Sequence, residues 1–190
     1  MPSFVTHLEC TLCGKHYDHR VLQTLCHDCA RPLYARYDLA AVAAAVSKGD
    51  LAGREASLWR YAELLPVEES TERVTFGEGW TPLLRCPRLG AELGLTELLV
   101  KDEGQIATGS FKARWMALAV TKAKELGAAS LAVPSAGNAG GAMAQYGARA
   151  GLECVVLLPA GKIALGKLAQ AFMYGAKVVA IEGNFDDALR

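Results

Sequence analysis

The chain of 190 residues has no excess of either charge: lysine plus arginine and aspartate plus glutamate number twenty each. That balance removes the global field that draws nucleic acid or an anionic membrane to a protein. Aromatic residues are few, at 7%, while 52% of the residues are hydrophobic, which is enough to bury a core and argues against disorder. Long apolar runs are missing as well. The longest near the N-terminus, Leu39 to Val46, is far too short to span a bilayer, and no basic, apolar and small-residue pattern of a secretory leader precedes it. The expectation is a soluble, cytoplasmic chain with neither nucleic acid nor membrane among its partners. Internal repeats and low-complexity tracts are absent, and so are the GxGxxG and Walker patterns of dinucleotide and nucleotide sites.

Cysteine is sparse but concentrated. Cys10 and Cys13 form one CxxC pair and Cys26 and Cys29 a second, with twelve residues between them. In a reducing compartment this spacing argues for a tetrahedral four-cysteine zinc site over a disulfide framework. Each pair forms a knuckle, and the metal substitutes for the apolar core that residues 1–35 are too few to build. Four thiolates close the coordination shell, so the predicted Zn²⁺ is structural. His16, His19 and His27 are alternative ligands, but they read better as solvated or as neighbours of a ligand. Residues 1–40 carry four basic side chains (Lys15, Arg20, Arg31, Arg36) and four acidic ones (Glu9, Asp18, Asp28, Asp38), so no basic footprint for nucleic acid emerges. Cys86 and Cys154 stand alone and read as packing residues.

Three zones follow from composition: a zinc-ribbon-like segment over 1–35, a helical linker over 36–75, and an α/β unit over 76–190. The linker holds an Ala-rich helical patch from Leu39, a break at Gly49-Asp50, and "SLWRYAELLP" with helical spacing ended by Pro66. The third zone alternates. "ELLVKDE" predicts a strand, Phe111 to Leu126 a helix closed by Gly127, "SLAVPS" a strand, Ala139 to Ala150 a helix, "ECVVLLP" a strand, "LGKLAQAFMYG" a helix and "AKVVAIEG" a strand. That order, with Val/Leu-rich strands, predicts a parallel sheet covered by helices on both faces. Near the end Asn184 offers a helix cap with Asp187 three residues on, yet only one turn follows, and a lone turn is unstable. The expectation is that these residues are a piece of a longer chain.

Two stretches carry chemistry. In "KDEGQIATGSFKARW" the small run Thr108-Gly109-Ser110 leads into Phe111-Lys112 and a helical repeat. If Ser110 caps that helix, Lys112 lies in its first turn, where the helix dipole disfavours a cation by about 0.3–1 kcal/mol. A desolvated lysine there is a Schiff-base former, and a solvated helix lysine is the alternative. In "VPSAGNAGG", Gly137, Gly140 and Gly141 let the backbone approach a ligand, and the free N–H groups opening the next helix suit a phosphate or carboxylate.

Together "GEGWTPLL", "KDEG…TGSFKAR", "PSAGNAGGA" and "PAGKIALGKLAQ" resemble the pyridoxal-phosphate (PLP) enzymes of the tryptophan synthase β-like fold, and among them most closely the threonine synthases. The resemblance covers most of the chain after about residue 55, and the CxxC pairs are similar to an N-terminal extension of some members. It implies that Lys112 holds PLP as a Schiff base and moves protons on the substrate, that Asn138 hydrogen-bonds the cofactor's phenolic oxygen, and that Ser135, Ala136, Gly137, Asn138, Ala139 and Gly140 receive the α-carboxylate of a small amino-acid substrate. The implied reaction is a lyase conversion of O-phosphohomoserine and water to threonine and phosphate. A serine/threonine dehydratase or a β-replacement synthase of the same fold is the alternative, and a non-catalytic zinc-ribbon binding protein with a degenerate PLP fold is a further one. A homodimer is compatible with the resemblance, which also places the PLP phosphate cup and the pyridine-nitrogen partner beyond Arg190. Two departures stand out: Ile106-Ala107 where the family commonly has Asn-Pro, and Trp115 where it usually has glycine, a bulky ring expected to enter a crowded turn.

Overall fold

The computed structural model of the chain describes residues 2–135, 137–160 and 165–189. Strand β1 (Val5–Cys10) pairs antiparallel with both β2 (His16–Tyr17) and β3 (Leu33–Tyr37). Alternation along these strands sends Leu8, Cys10, Tyr17 and Leu33 to one side, where they pack with Cys26 and Cys29 in a small cluster, half of it cysteine. Phe4 N–H donates to the Glu63 carbonyl at 3.0 Å and Ser3 Oγ to that of Leu65 at 2.5 Å, which ties this small sheet to the segment that follows.

Helix α1 (Leu39–Ala45) is capped by Asp38 and α2 (Lys48–Ala52) by Ser47. The expected break at Gly49-Asp50 does not occur. Ser47 and Asp50 satisfy each other's backbone N–H in a capping box, and that gain outweighs the weak helix preference of glycine. "SLWRYAELLP" forms a 3₁₀ stretch, Leu58–Leu64, that buries Trp59 and Ala62 and holds Glu63 against Arg54 in a two-pronged ion pair at 2.7 and 2.8 Å.

Strand β4 (Leu83–Arg85) precedes α3 (Pro87–Glu92) and pairs antiparallel with β5 (Leu99–Lys101). Then come α4 (Lys112–Glu125), β6 (Ser130–Pro134), α5 (Asn138–Ala150), β7 (Glu153–Pro159), α6 (Leu165–Met173) and β8 (Lys177–Ile181). The last three strands form a parallel sheet in the order β6-β7-β8. Strand order advancing in one direction with right-handed crossovers puts α5 and α6 on the same face. Among the described residues the expected cover on both faces is therefore not seen: Cys154, Val156 and Leu158 point into the core, while Val179 on the opposite face is 43% exposed.

Helix α4 buries Ala113, Met116, Ala117, Val120 and Thr121, the i, i+3, i+4, i+7, i+8 stripe of an amphipathic helix. Helix α5 buries every residue from Gly140 to Gly147, as a central helix between α4, α6 and the sheet must. Each fully buried valine or leucine here, such as Val156, Leu158 and Leu168, contributes about 1.5–3 kcal/mol. The chain's last described turn, Asp187–Leu189, opens with Asn184 Oδ1 accepting from Asp186 and Asp187 N–H, the cap read from the sequence.

Candidate functional site

Because the strands are parallel and the helices run back against them, α4 and α5 both begin at the carboxyl end of the sheet, packed side by side through one core. Lys112 is the first residue of α4 and Asn138 the first of α5. The residue capping α4 is Phe111, without a side-chain hydrogen bond; Ser110 does not cap it. Ser110 is instead buried, and its hydroxyl has no partner. Its carbonyl is already used, accepting from Thr108 Oγ1 at 3.2 Å and from Ala113 N–H at 3.1 Å.

The loop before the lysine is pinned from below. Gln145 of α5 donates to the Ala107 carbonyl at 3.4 Å, Gln170 of α6 reaches the Thr108 carbonyl at 3.5 Å, and Ile106 is buried in the core. Lys112 is half-buried, with its amine 4.5 Å from the Phe111 ring centroid and 5.6 Å from that of Trp115. Exposed cation–π contacts contribute about 0.5–1 kcal/mol, comparable with the penalty of the helix dipole, so the two rings offset it. Trp115 is 54% exposed and thus enters no crowded turn among the described residues, contrary to expectation.

The second stretch leads from β6 into α5. Ser135 N–H extends the β6–β7 ladder to the Leu157 carbonyl at 3.1 Å, and Ser135 Oγ accepts from Gly137 N–H at 3.3 Å. Asn138 is exposed, Ala139 half-buried and Gly140 buried; Ala136 lies outside the described residues. Gly140 is obligatory here, since a Cβ would stand 2.5 Å from the Ser135 carbonyl oxygen. The expected substrate residues Ser135, Gly137, Asn138, Ala139 and Gly140 are thus contiguous at the head of α5.

Two supports were not legible as such. Glu103 and Arg114, from the "KDEG" and "FKAR" pieces, form a two-pronged pair at 2.6 and 2.8 Å, with Thr81 Oγ1 donating to Glu103 at 2.5 Å. Arg114 holds the Glu103 carboxyl down at about 2. The pair fixes the strand-to-helix loop ahead of Lys112, in the wall of an open cleft of about 590 Å³ that Arg60, Trp80 and Lys101 also line. Glu78 of "GEGWTPLL" is fully buried, yet it accepts from Trp59 Nε1 at 3.0 Å, Thr75 Oγ1 at 2.9 Å, Phe76 N–H at 2.9 Å and Tyr146 Oη at 2.7 Å. Burial, then the Glu78 hydrogen bond, pushes the Tyr146 phenol far above its ordinary value, so it remains a donor. Tyr146 lies on α5, so this carboxylate joins the motif loop to the helix that Asn138 opens.

The four CxxC cysteines converge. Sulfur separations are 3.3 Å for Cys10–Cys29, 3.6 Å for Cys13–Cys26 and 3.8 Å for Cys13–Cys29, and all four sulfurs lie within 4.8 Å of one another. Ligands about 2.3 Å from one tetrahedral Zn²⁺ stand roughly 3.8 Å apart, so the cluster fits the ion. Both pairs close with the same turn, Gly14 N–H to the Cys10 carbonyl and Ala30 N–H to that of Cys26. A hydrogen bond from Tyr17 lowers the Cys26 thiol to about 6, whereas the Cys10 sulfur beside Cys29 pushes that thiol up to about 12. Thiols this crowded do not all ionise without a cation among them. Of the histidines, His19 is buried, not solvated, with Nδ1 unpartnered.

Residues 74–190 match the family model of pyridoxal-phosphate dependent enzymes. The chain is 49% identical over 181 residues to the threonine synthase of Methanocaldococcus jannaschii and 50% identical over 183 residues to that of Methanosarcina acetivorans, covering 95% and 96% of itself. It spans 44% of the length of each of these curated relatives. Among solved structures it is similar in fold to diaminopropionate ammonia lyase from Escherichia coli, with a TM-score of 0.55 at 23% identity, over 62% of this chain and 35% of that one. No helix among the described residues is long and apolar enough to cross a membrane.

Proposed function

The chain belongs to the pyridoxal-phosphate dependent enzyme family, and from that premise we propose that it forms part of a PLP-dependent lyase of the threonine synthase type, with O-phosphohomoserine as substrate. One observation carries the reading most: a half-buried lysine and an exposed asparagine open two adjacent helices at the carboxyl end of a parallel sheet, where α/β folds bind their ligands. The residues fit the cofactor. The Ser110 hydroxyl is buried without a partner, as a group awaiting a polar ligand would be, and the turn at Gly140 leaves no room for a side chain.

In this reading Lys112 and Asn138 hold PLP, which supplies an electron sink for charge developing on the substrate. Everything else falls to the chain. The first turn of α5, Asn138 to Gly140, presents backbone N–H groups at the helix's positive end, suited to the substrate carboxylate, with Ser135 and Gly137 beside them. Lys112, once free, takes and returns protons at the substrate carbons as phosphate leaves and water adds. The Glu103–Arg114 pair and the Gln145 and Gln170 contacts keep the lysine loop in register with that turn, which is the positioning that proton transfer demands. For the four-cysteine cluster we propose a structural Zn²⁺. The full-length enzyme is expected to show an imine absorbance band with PLP that disappears in Lys112→Ala; an unchanged band removes the assignment.

A further inference from the structure

The face of the N-terminal sheet opposite the cysteines carries a second cluster. His7 and Glu9 are two residues apart on β1, and His16 is the cross-strand partner of Glu9 on β2. Pleating sends Leu8 and Cys10 one way and these three side chains the other. Glu9 Oε2 lies 3.8 Å from His7 Nε2 and 3.8 Å from His16 Nε2, and the three ligand atoms are all within 4.8 Å of one another. The two imidazoles stack with centroids 3.9 Å apart and an interplanar angle of 30°, and both Nε2 atoms border the same carboxylate oxygen.

Hydrogen bonding fixes which nitrogen of His7 is free. The single Thr6 hydroxyl proton goes to the Arg36 carbonyl at 3.1 Å, so the contact of 2.9 Å between Thr6 Oγ1 and His7 Nδ1 has the imidazole as donor. With the Nδ1 proton engaged by Thr6, it is Nε2 that His7 turns toward the carboxylate. That nitrogen is buried and has no hydrogen-bond partner. A buried acceptor aimed at another acceptor is unfavourable unless a second proton or a metal cation lies between them. Glu9 Oε1 is engaged separately by Arg36 Nη2 at 2.7 Å, which orients the carboxylate and leaves Oε2 for the shared point.

We propose that His7, Glu9 and His16 bind a borderline divalent transition ion such as Zn²⁺ or Co²⁺, at a site separate from the four cysteines. Two imidazoles and one carboxylate suit such ions and not Mg²⁺ or Ca²⁺. Tetrahedral N and O ligands at about 2.0–2.1 Å stand roughly 3.4 Å apart, so the two 3.8 Å separations from Glu9 need to contract by a few tenths of an ångström, and the imidazoles turn to bring their ring planes onto the ion. Three protein ligands leave a coordination position for water.

The test is a Co²⁺ titration of the full-length protein. The expected result is one equivalent whose absorption shows weak d–d bands and no thiolate charge transfer, distinct from any ion on the cysteines. His16→Gln and Glu9→Gln should each weaken that equivalent by more than about tenfold, since even outer partners of a ligand are worth about 10- to 100-fold. Both leave the thiolate-type signal unchanged. The His16 side chain is 63% exposed, so its replacement does not threaten folding. Absence of a non-thiolate equivalent, or its persistence at full affinity in either variant, overturns the proposal.

Discussion

Glu78 makes the sharpest test of how the fold is held, because four donors converge on one buried carboxylate. Two of them, Trp59 Nε1 and Phe76 N–H, cannot act as acceptors; the other two, Thr75 and Tyr146, carry hydroxyls that can rotate. Trp59 and Thr75 share Oε1, and Phe76 and Tyr146 share Oε2. In Glu78→Gln one of these oxygens becomes an NH₂. Whichever way the amide turns, one fixed N–H faces another donor while the neighbouring hydroxyl can reverse. An orphaned buried donor costs about 1–3 kcal/mol, and bonds that lose a charged partner fall from about 1.5–3 toward about 1 kcal/mol each, so the loss should be about 3 kcal/mol or more. Tyr146→Phe removes one charge-assisted bond but keeps the edge-on contact of the ring with Phe76 at 5.0 Å, and should cost about 1.5–3 kcal/mol. The double variant should lose less than the sum, with a coupling of about 1 kcal/mol or more, because both changes act on one network. Urea denaturation followed by tryptophan fluorescence measures all three, given an unchanged slope. A Glu78→Gln protein within about 0.5 kcal/mol of the parent, the range of an ordinary surface change, or strictly additive losses, would refute the reasoning.

Two further outcomes follow from the site. Gly140→Ala puts a methyl 2.5 Å from the Ser135 carbonyl oxygen and 3.4 Å from Val156 Cγ1, so the turn must shift; we expect about 1–3 kcal/mol of lost stability and a rise in KM larger than the fall in kcat, and unaltered kinetics would dissociate this turn from substrate. The Glu103 carboxyl is depressed from its ordinary 4.5 to about 2 by the Arg114 pair, so its stabilising contribution is complete above about pH 4.5 and lost as pH falls toward 2. Glu103→Gln should flatten that part of the acid-unfolding curve, and an identical acid limb in both proteins would show the pair to be energetically idle.

What could be read from the sequence tracks how local its cause is. Strand β7 was read to its ends from "ECVVLLP" because a short run of buried β-branched and leucine residues, bounded by Gly151-Leu152 and Ala160-Gly161, needs no distant information. Strand β4 was missed because all three of its residues are exposed and show no alternation; its partner β5 defines it. The 3₁₀ character of Leu58–Leu64 and the helix across Gly49 depended on competing hydrogen bonds that composition does not weigh. At the candidate site the CxxC spacing is a local signal, and Lys112 and Asn138 stand out through their flanking small residues. Glu78 does not, since its donors Trp59 and Tyr146 lie 19 and 68 residues away.

The same distinction decides how the motifs should be understood. Of the pieces that resemble PLP enzymes, "GEGWTPLL" reaches the first turn of α4 through Thr81, which accepts from Arg114 at 3.3 Å, and α5 through Glu78, which accepts from Tyr146. Gly79 has φ of +152°, and a Cβ there would stand 2.7 Å from the Ser57 Cα, so the loop packs backbone against backbone. Leu58 N–H donates to the Glu78 carbonyl at 2.7 Å, the Glu78 carboxylate holds Tyr146 of α5, and Thr81 holds the Glu103–Arg114 pair at the start of α4. One loop therefore fixes both helices whose first residues are Lys112 and Asn138. A lysine and an asparagine on separate helices hold one ligand only if the helices keep their relative register, and a buried carboxylate with four donors is a stiff way to enforce it. With Lys112 and Asn138 as the proposed PLP residues, this loop is a strut between the two halves of the site, and its residues should govern the geometry of PLP binding without touching the cofactor.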